Sequence, residues 1–149
     1  MTHSYYLKKA IEESLKSVEN GSSPFGALVV NEKGEIIGTG HNQVVSLNDP
    51  SAHGEVMAIR DACQNIHSFD LSGCTLYSSC EPCPMCLNTA KWANIKEIVY
   101  AATREDAEKI GFRDKIFYEE DPVILTHLEE SSAQDVMQKW YQKEDKKEY

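Results

Sequence analysis

From Tyr6 to Val18 the apolar residues fall at Leu7, Ala10, Ile11, Leu15 and Val18, with charged residues between them. Steps of three and four predict an amphipathic helix. Asn20-Gly21-Ser22-Ser23-Pro24 breaks the pattern and predicts a loop. The apolar run from Phe25 to Val30 then predicts a buried strand. A turn at Glu32-Lys33-Gly34 and a second strand from Glu35 to Asn42 complete a hairpin. Asn48-Asp49-Pro50-Ser51 reads as a turn and helix cap ahead of a helix from Ala52 to Cys63, with Met57 and Ile59 on its core side. Cys74 to Ser79 predicts a third strand. Pro82-Cys83-Pro84 opens a helix running to about Ala93, because proline is tolerated in a first helical turn. Ile95 to Ala101 is a fourth strand, Arg104 to Ile110 a short helix closed by Gly111, Pro122 to His127 a fifth strand, and Ser132 to Tyr141 a last helix.

No internal repeat and no long linker interrupts this order, so 1–149 is expected to be one domain. A hairpin followed by helical crossovers predicts a mixed sheet with helices on both faces. The expected fold class is α/β, a three-layer α/β/α sandwich with a mixed five-stranded sheet.

Chemistry concentrates at two places, His53-Gly54-Glu55 and Pro82-Cys83-Pro84-Met85-Cys86. Cys83 and Cys86 stand three apart at a helix start, so both sulfurs share one face. A helix N-terminus favours negative charge and lowers thiol pKa. Two thiolates on one turn make a metal clamp, and zinc prefers Cys and His in tetrahedral geometry. A catalytic zinc needs one further protein ligand, because it keeps its fourth position for water. His53 opens the other predicted helix and supplies that ligand if both helices start at one sheet edge. Glu55 then lies beside the water as its base. The order H-x-E followed by P-C-x-x-C is the signature of zinc deaminases. One zinc ion per chain is expected, held by His53, Cys83 and Cys86.

Other readings stay open. A C-x-x-C alone also fits a redox pair, half of a structural zinc site or two buried cysteines. A structural zinc would take a fourth ligand, for which Cys80 and Cys74 are candidates. A redox pair or a structural site leaves Glu55 without a task. Cys63 and Cys74 fall in predicted elements and read as core residues. His3, His41, His67 and His127 have no patterned partners and read as structural or surface residues.

Composition narrows the substrate. The net charge is −9 and no basic run appears before the tail. Nucleic-acid binding draws its affinity from Lys and Arg neutralising phosphates, so a polyanionic partner is disfavoured and a small substrate favoured. Met1 to Lys9 shows no apolar signal core, and no apolar stretch reaches membrane-span length. Five cysteines, an odd number, argue against a disulfide framework and for the cytoplasm. Lys143 to Glu148 reads by composition as a solvated, frayed tail.

Several blocks carry a family resemblance. They are Pro24-Phe25-Gly26-Ala27, Asn48 to Glu55, Ser79 to Cys86, Trp92-Ala93, Gly111-Phe112-Arg113-Asp114 and Lys146-Lys147-Glu148-Tyr149. With them the chain resembles the cytidine-deaminase-like superfamily and, within it, the bacterial guanine deaminases. The resemblance implies hydrolysis of guanine to xanthine and ammonia, with Glu55 relaying protons. It implies base recognition by Asn42, Asp114 and Tyr149, packing against the purine by Phe25 or Trp92, and a pocket-closing role for 143–149. It further implies a homodimer with exchanged C-terminal segments. Gly54 stands where the family usually has alanine, which implies a little more room over the ring and altered affinity. The segment between Asp121 and Ser131 is short against the family pattern, so the tail is expected to reach the pocket differently. The alternatives are a sister deaminase of guanosine, cytosine, a pterin or a triazine, then a tRNA adenosine deaminase, and more remotely a zinc-binding domain without catalysis.

Overall fold

The computed structural model describes residues 1–119, 123 and 125–149. The first predicted helix is present as α1 (His3–Glu19), with Thr2 capping its first turn. The hairpin is β1 (Gly26–Val30) and β2 (Ile36–His41), followed by a short α2 (Val44–Leu47) that the pattern did not announce. Next come α3 (Gly54–Ile66), β3 (Thr75–Cys80), α4 (Pro84–Trp92), β4 (Glu97–Ala102) and α5 (Arg104–Lys109). A 3-10 turn (Asp114–Tyr118) and α6 (Ser131–Tyr141) complete the order.

The sheet is mixed, in the order β2-β1-β3-β4. β1 runs antiparallel to both neighbours, with Gly26 opposite His41 and Ala27 opposite Ser78, while β3 and β4 are parallel. The expected five strands are therefore four among the described residues. Val123 and Leu125–His127 form no strand, and the rest of that predicted strand, Pro122 and Ile124, lies outside the described residues. Three apolar side chains in six positions carry the composition of a strand without a partner edge, and strand propensity is decided by neighbours more than by the segment itself.

Both faces of the sheet are covered. Ala27, Val29 and Leu76 point to one side and pack with Ala58, Ile59 and Ala62 of α3 and Ala90 of α4. Leu28, Val30 and Tyr77 point to the other side and pack with Tyr6 and Ala10 of α1. This alternation is the two-residue period of a pleated strand. β1 is buried at all five positions, which explains its unbroken apolar run.

Glycines on β2 decide how near α3 comes. A Cβ at Gly40 would stand 2.4 Å from the Ala58 nitrogen and 2.6 Å from the Gly54 carbonyl oxygen. A Cβ at Gly38 would meet the Ala58 oxygen at 2.5 Å and the Ala62 nitrogen at 2.6 Å. These are backbone atoms of α3, which cannot turn aside as a side chain could. Gly38 and Gly40 lie on one face of β2, so together they form the groove in which α3 rests. Gly40→Ala is expected to destabilise the fold by about 2–3 kcal/mol, because the helix must lift off the sheet. Urea unfolding with far-ultraviolet dichroism measures this, and a midpoint equal to that of the parent chain refutes the close-packing account.

Candidate active site

Helices α3 and α4 both begin at one edge of the sheet, and each begins on a ligand residue. His53 is the N-cap of α3 and Cys83 the N-cap of α4, and neither uses its side chain to cap its helix. Most helices place Ser, Thr, Asp or Asn there to satisfy the first amides. Here the cap side chains are left for another partner. α3 starts at Gly54 rather than at the expected Ala52, because Asp49 does not cap it. Asp49 Oδ1 instead accepts from the backbone and the hydroxyl of Ser51, at 2.9 and 2.7 Å, and closes a local turn. Proline at the first position of α4 loses no hydrogen bond there.

The two starts bring three ligand atoms together. The His53 Nδ1 lies 3.6 Å from the Cys83 sulfur and 3.5 Å from the Cys86 sulfur, and the two sulfurs are 3.7 Å apart. Zinc with bonds of about 2.3 Å to sulfur and about 2.0–2.1 Å to nitrogen, at tetrahedral angles, spaces its ligands by about 3.8 Å (S to S) and about 3.6 Å (S to N). The triangle therefore fits the ion as it stands. Among the described residues no fourth Cys, His or carboxylate joins this group. Cys80 and Cys74, the candidates for a closed structural site, go elsewhere. The Cys80 sulfur contacts the Thr103 carbonyl oxygen at 3.7 Å, and Cys74 packs in the core under α3 and α4.

Ionisation suits metal binding. The sulfur contact with Cys86, with His53 beside it, draws the Cys83 thiol down to about 4. Cys86, sharing that contact and buried, is shifted upward, as expected when two close thiols release their first proton easily and their second with difficulty. Burial pushes Glu55 up to about 7, close to where a proton carrier works at neutral pH. Burial also raises Asp114, with the neighbouring Cys83 charge adding to it, and pushes Cys80 up to about 12.

A cavity of about 770 Å³ opens on this cluster. Phe25, Asn42, His53, Glu55, Cys83 and Asp114 line it, as do Phe112, Arg113 and Phe117. Asn42 is buried, and its Oδ1 accepts from the Val44 amide at 3.1 Å. That bond fixes the carboxamide so that its NH₂ is left to donate into the cavity. The Phe25 ring meets Phe112 edge to face at 4.8 Å. Three of the expected contact residues stand apart from the cavity lining. Gly54 is buried against the start of β1, so its missing side chain gives no room over a bound ring. Trp92 ends α4 and is 66% exposed, at the opposite end of that helix from the metal ligands. Tyr149 lies 5.8 Å from Trp92 and 6.0 Å from Phe69, not in this chain's own cavity. Within this chain Trp92 therefore meets the tail rather than the cavity.

One network had no sequence signal. Glu81 lines the cavity between the metal ligands and β3. Its carboxylate accepts from the Arg104 backbone amide at 3.0 Å and from the guanidinium at 3.1 and 2.5 Å. The guanidinium also lies 3.4 Å from the centre of the Tyr118 ring, whose hydroxyl donates to the Pro82 carbonyl. These contacts tie the metal-binding loop to the 3-10 turn that carries Asp114. They join residues well separated along the chain, Glu81 with Arg104, Arg104 with Tyr118 and Tyr118 with Pro82, so no local motif could mark them.

The chain matches the family model for the cytidine and deoxycytidylate deaminase zinc-binding region over residues 1–102. It belongs to that family. It is similar to a guanine deaminase of Bacillus subtilis, 46% identical over 80% of this chain and 77% of that one. An X-ray structure of guanine deaminase from the same organism superposes with a TM-score of 0.94 at 40% identity, covering 100% of this chain and 99% of the other. A tRNA-specific adenosine deaminase of Buchnera aphidicola is 41% identical over 76% of this chain and 75% of that one. The family is zinc-binding, and His53, Cys83 and Cys86 are placed to hold the ion.

Arg104→Met is expected to cost about 1–2 kcal/mol, through the charge-assisted bonds lost to a mostly buried Glu81. The Arg104 hydrogen bonds hold Glu81 below the usual carboxylate range. A lowered folded-state pKa gives stability that is present above the unfolded value, near 4.5, and lost as pH falls through the folded value. Denaturant titrations at pH 7 and pH 3 should therefore show a gap between parent and variant that narrows in acid. A gap of equal size at both pH values would mean that the pair does not act through charge.

Proposed function

We propose that this chain is a single deaminase domain that hydrolyses guanine to xanthine and ammonia in the cytoplasm. The observation that carries the reading is that Asn42 and Asp114 line the cavity that holds His53, Cys83 and Glu55. Asn42 presents N–H donors and Asp114 a carboxylate acceptor. Guanine offers both complements on its edge, a carbonyl and ring nitrogen as acceptors and ring N–H groups as donors. The ring nitrogens of adenosine only accept, so the one donor on its base edge is the amine that the reaction removes, and a carboxylate finds no ring N–H there.

Zinc bound by His53, Cys83 and Cys86 would lower the pKa of its water towards about 7 and so supply the nucleophile. Glu55 takes the proton of the attacking water and delivers it to the adjacent ring nitrogen. The carbon bearing the exocyclic amine gains the oxygen. Glu55 then carries the second proton to the amine, which leaves as ammonia while the new carbonyl forms. Met57 is the first α3 amide to pair within the helix, to the His53 carbonyl at 2.9 Å. The three amides before it have no partner within the helix, so the start of α3 keeps the partial positive charge of a helix N-terminus beside the ligand cluster. Phe25, with Phe112, forms the apolar wall for the purine face.

Glu55, Glu81, Asp114 and Glu119 all line the cavity, against one guanidinium from Arg113. That balance disfavours a phosphate-bearing substrate. Adenosine in tRNA remains the second reading because of the 41% identity to the Buchnera enzyme, and the net charge of −9 weighs against it. No helix among the described residues is long and apolar enough to cross a membrane. Five free thiols suit the reducing cytoplasm.

The tail reading takes a dimeric form. Every residue of α6 is exposed, including Val136, Met137, Trp140 and Tyr141. A helix with such a face needs a surface to bury it. Exchange of C-terminal segments in a homodimer would bury it, and would place 143–149 with Tyr149 over the partner's cavity.

Ammonia release from guanine, guanosine, adenine, cytosine and cytidine by zinc-loaded protein tests the substrate. Guanine alone should react. Glu55→Gln should keep one zinc per chain and lose activity by roughly a hundred- to ten-thousand-fold; full activity in that variant rules out Glu55 as the proton carrier. The exchange is tested by mixing Glu55→Gln chains with chains lacking 143–149. Each alone should be inactive, and refolding them together should restore activity, since an intact Glu55 then meets a tail from its partner. Continued silence in the mixture, with dimers present, excludes exchange.

A further inference from the structure

Gly54 separates a metal ligand from the proton carrier, yet it faces neither the metal nor the cavity. A Cβ at Gly54 would stand 3.2 Å from the Gly26 Cα, 3.2 Å from the Phe25 carbonyl oxygen and 3.3 Å from the Gly26 nitrogen. All three atoms belong to one peptide unit, the Phe25–Gly26 bond. Its carbonyl accepts from the Asn42 amide at 3.0 Å. Its N–H donates to the Ser79 Oγ at 3.0 Å, a bond buried inside the sheet. On the side of α1, a Cβ at Gly26 would meet the Ser14 nitrogen at 2.4 Å and the Glu13 carbonyl carbon at 2.7 Å. The peptide is therefore clamped between the backbones of α1 and α3 and held by a hydrogen bond at each end.

Both base-recognising arms take their position from this unit. Asn42 is tied to it through its own amide, while its side-chain oxygen is tied to Val44. Phe25 carries its ring into contact with Phe112, two residues before Asp114. We propose that the Phe25–Gly26 peptide positions the substrate-recognition residues, and that Gly54 and Ser79 set substrate affinity through it without entering the chemistry. The proposal rests on the deaminase reading of this cavity.

The direction of yielding follows from the packing. α3 rests in the groove of Gly38 and Gly40, with Ala58 and Ala62 buried against the sheet. Phe25 lies just outside β1, at the end of a loop. A methyl group at Gly54 would press on the Phe25–Gly26 peptide at 3.2–3.3 Å, and the Phe25 end, which lies outside β1, would give by a few tenths of an ångström. Asn42 and Phe25 would move with it, and Glu55 would stay. Loss of the Ser79 hydroxyl would free the other end of the same unit and leave a buried N–H without a partner.

The test is steady-state kinetics on zinc-loaded Gly54→Ala, Ser79→Ala and the double variant. It uses guanine, or whichever base of the panel the parent chain turns over. Silence of the parent on guanine would refute the guanine reading alone. Each single variant should raise KM about three- to ten-fold, with kcat within about two-fold and one zinc per chain. The double variant should fall short of the product of the single effects, because both act on one peptide. Xanthine, or the corresponding product, should bind more weakly to the variants in equilibrium dialysis by the same factor. An unchanged KM in Gly54→Ala overturns the proposal. So does a fall in kcat at constant KM, which would place the effect on Glu55, and so do fully multiplicative effects in the double variant.

Discussion

The seating of α3 on two residues without side chains is the constraint from which the rest follows. Gly38 and Gly40 let a helix backbone come to within the width of a missing methyl group of β2. That contact fixes where α3 begins, and α3 begins on His53. With α4 starting at the same sheet edge on Cys83, the sheet delivers two helix starts, and two ligands, to one point. Neither cap side chain is used within its own helix. The site thus consists of what the backbone leaves over: unsatisfied caps, first-turn amides without a partner in their helix and the partial positive charge of two helix ends.

This arrangement explains why a carboxylic acid can sit fully enclosed next to two thiols. Glu55 is buried because it lies in the first turn of a helix packed tightly on its sheet. Its raised pKa follows from that burial first, and the surrounding charges modify it. The same geometry that holds a metal ligand therefore also tunes the proton carrier two residues later. Asp114 comes from the other side of the cavity and a different part of the chain. It depends on the Glu81–Arg104–Tyr118 contacts to reach the same space.

Much of this was legible in the sequence, because the relevant signals are local. His53, Glu55, Cys83 and Cys86 lie in short motifs, and their helix starts are marked by a proline and a change of period. The strands of β1 and β3 announce themselves by apolar runs. What the sequence concealed depends on partners far along the chain. The run from Pro122 to His127 has strand composition, but no strand forms among its described residues. Trp92 and Tyr149 read as pocket residues by motif, yet they pack on each other away from this chain's cavity. Arg104 and Tyr118 have no motif at all. Gly54 was visible as a departure, but its neighbour, the Phe25–Gly26 peptide, is a matter of three-dimensional fit.

The sheet stops at β4, and among the described residues no strand pairs with its outer side. An edge of this kind offers amides and carbonyls to any extended chain that approaches. Mutual repulsion at a net charge of −9 is one restraint on such encounters at neutral pH. The repulsion acts over a screening length of about 8 Å at physiological salt. It fades as acidity approaches the isoelectric point near 5.0, where the same edge meets other molecules without an electrostatic barrier. Colloidal stability of this protein is therefore narrowest in mildly acidic, salty solution, well before the fold itself is at risk.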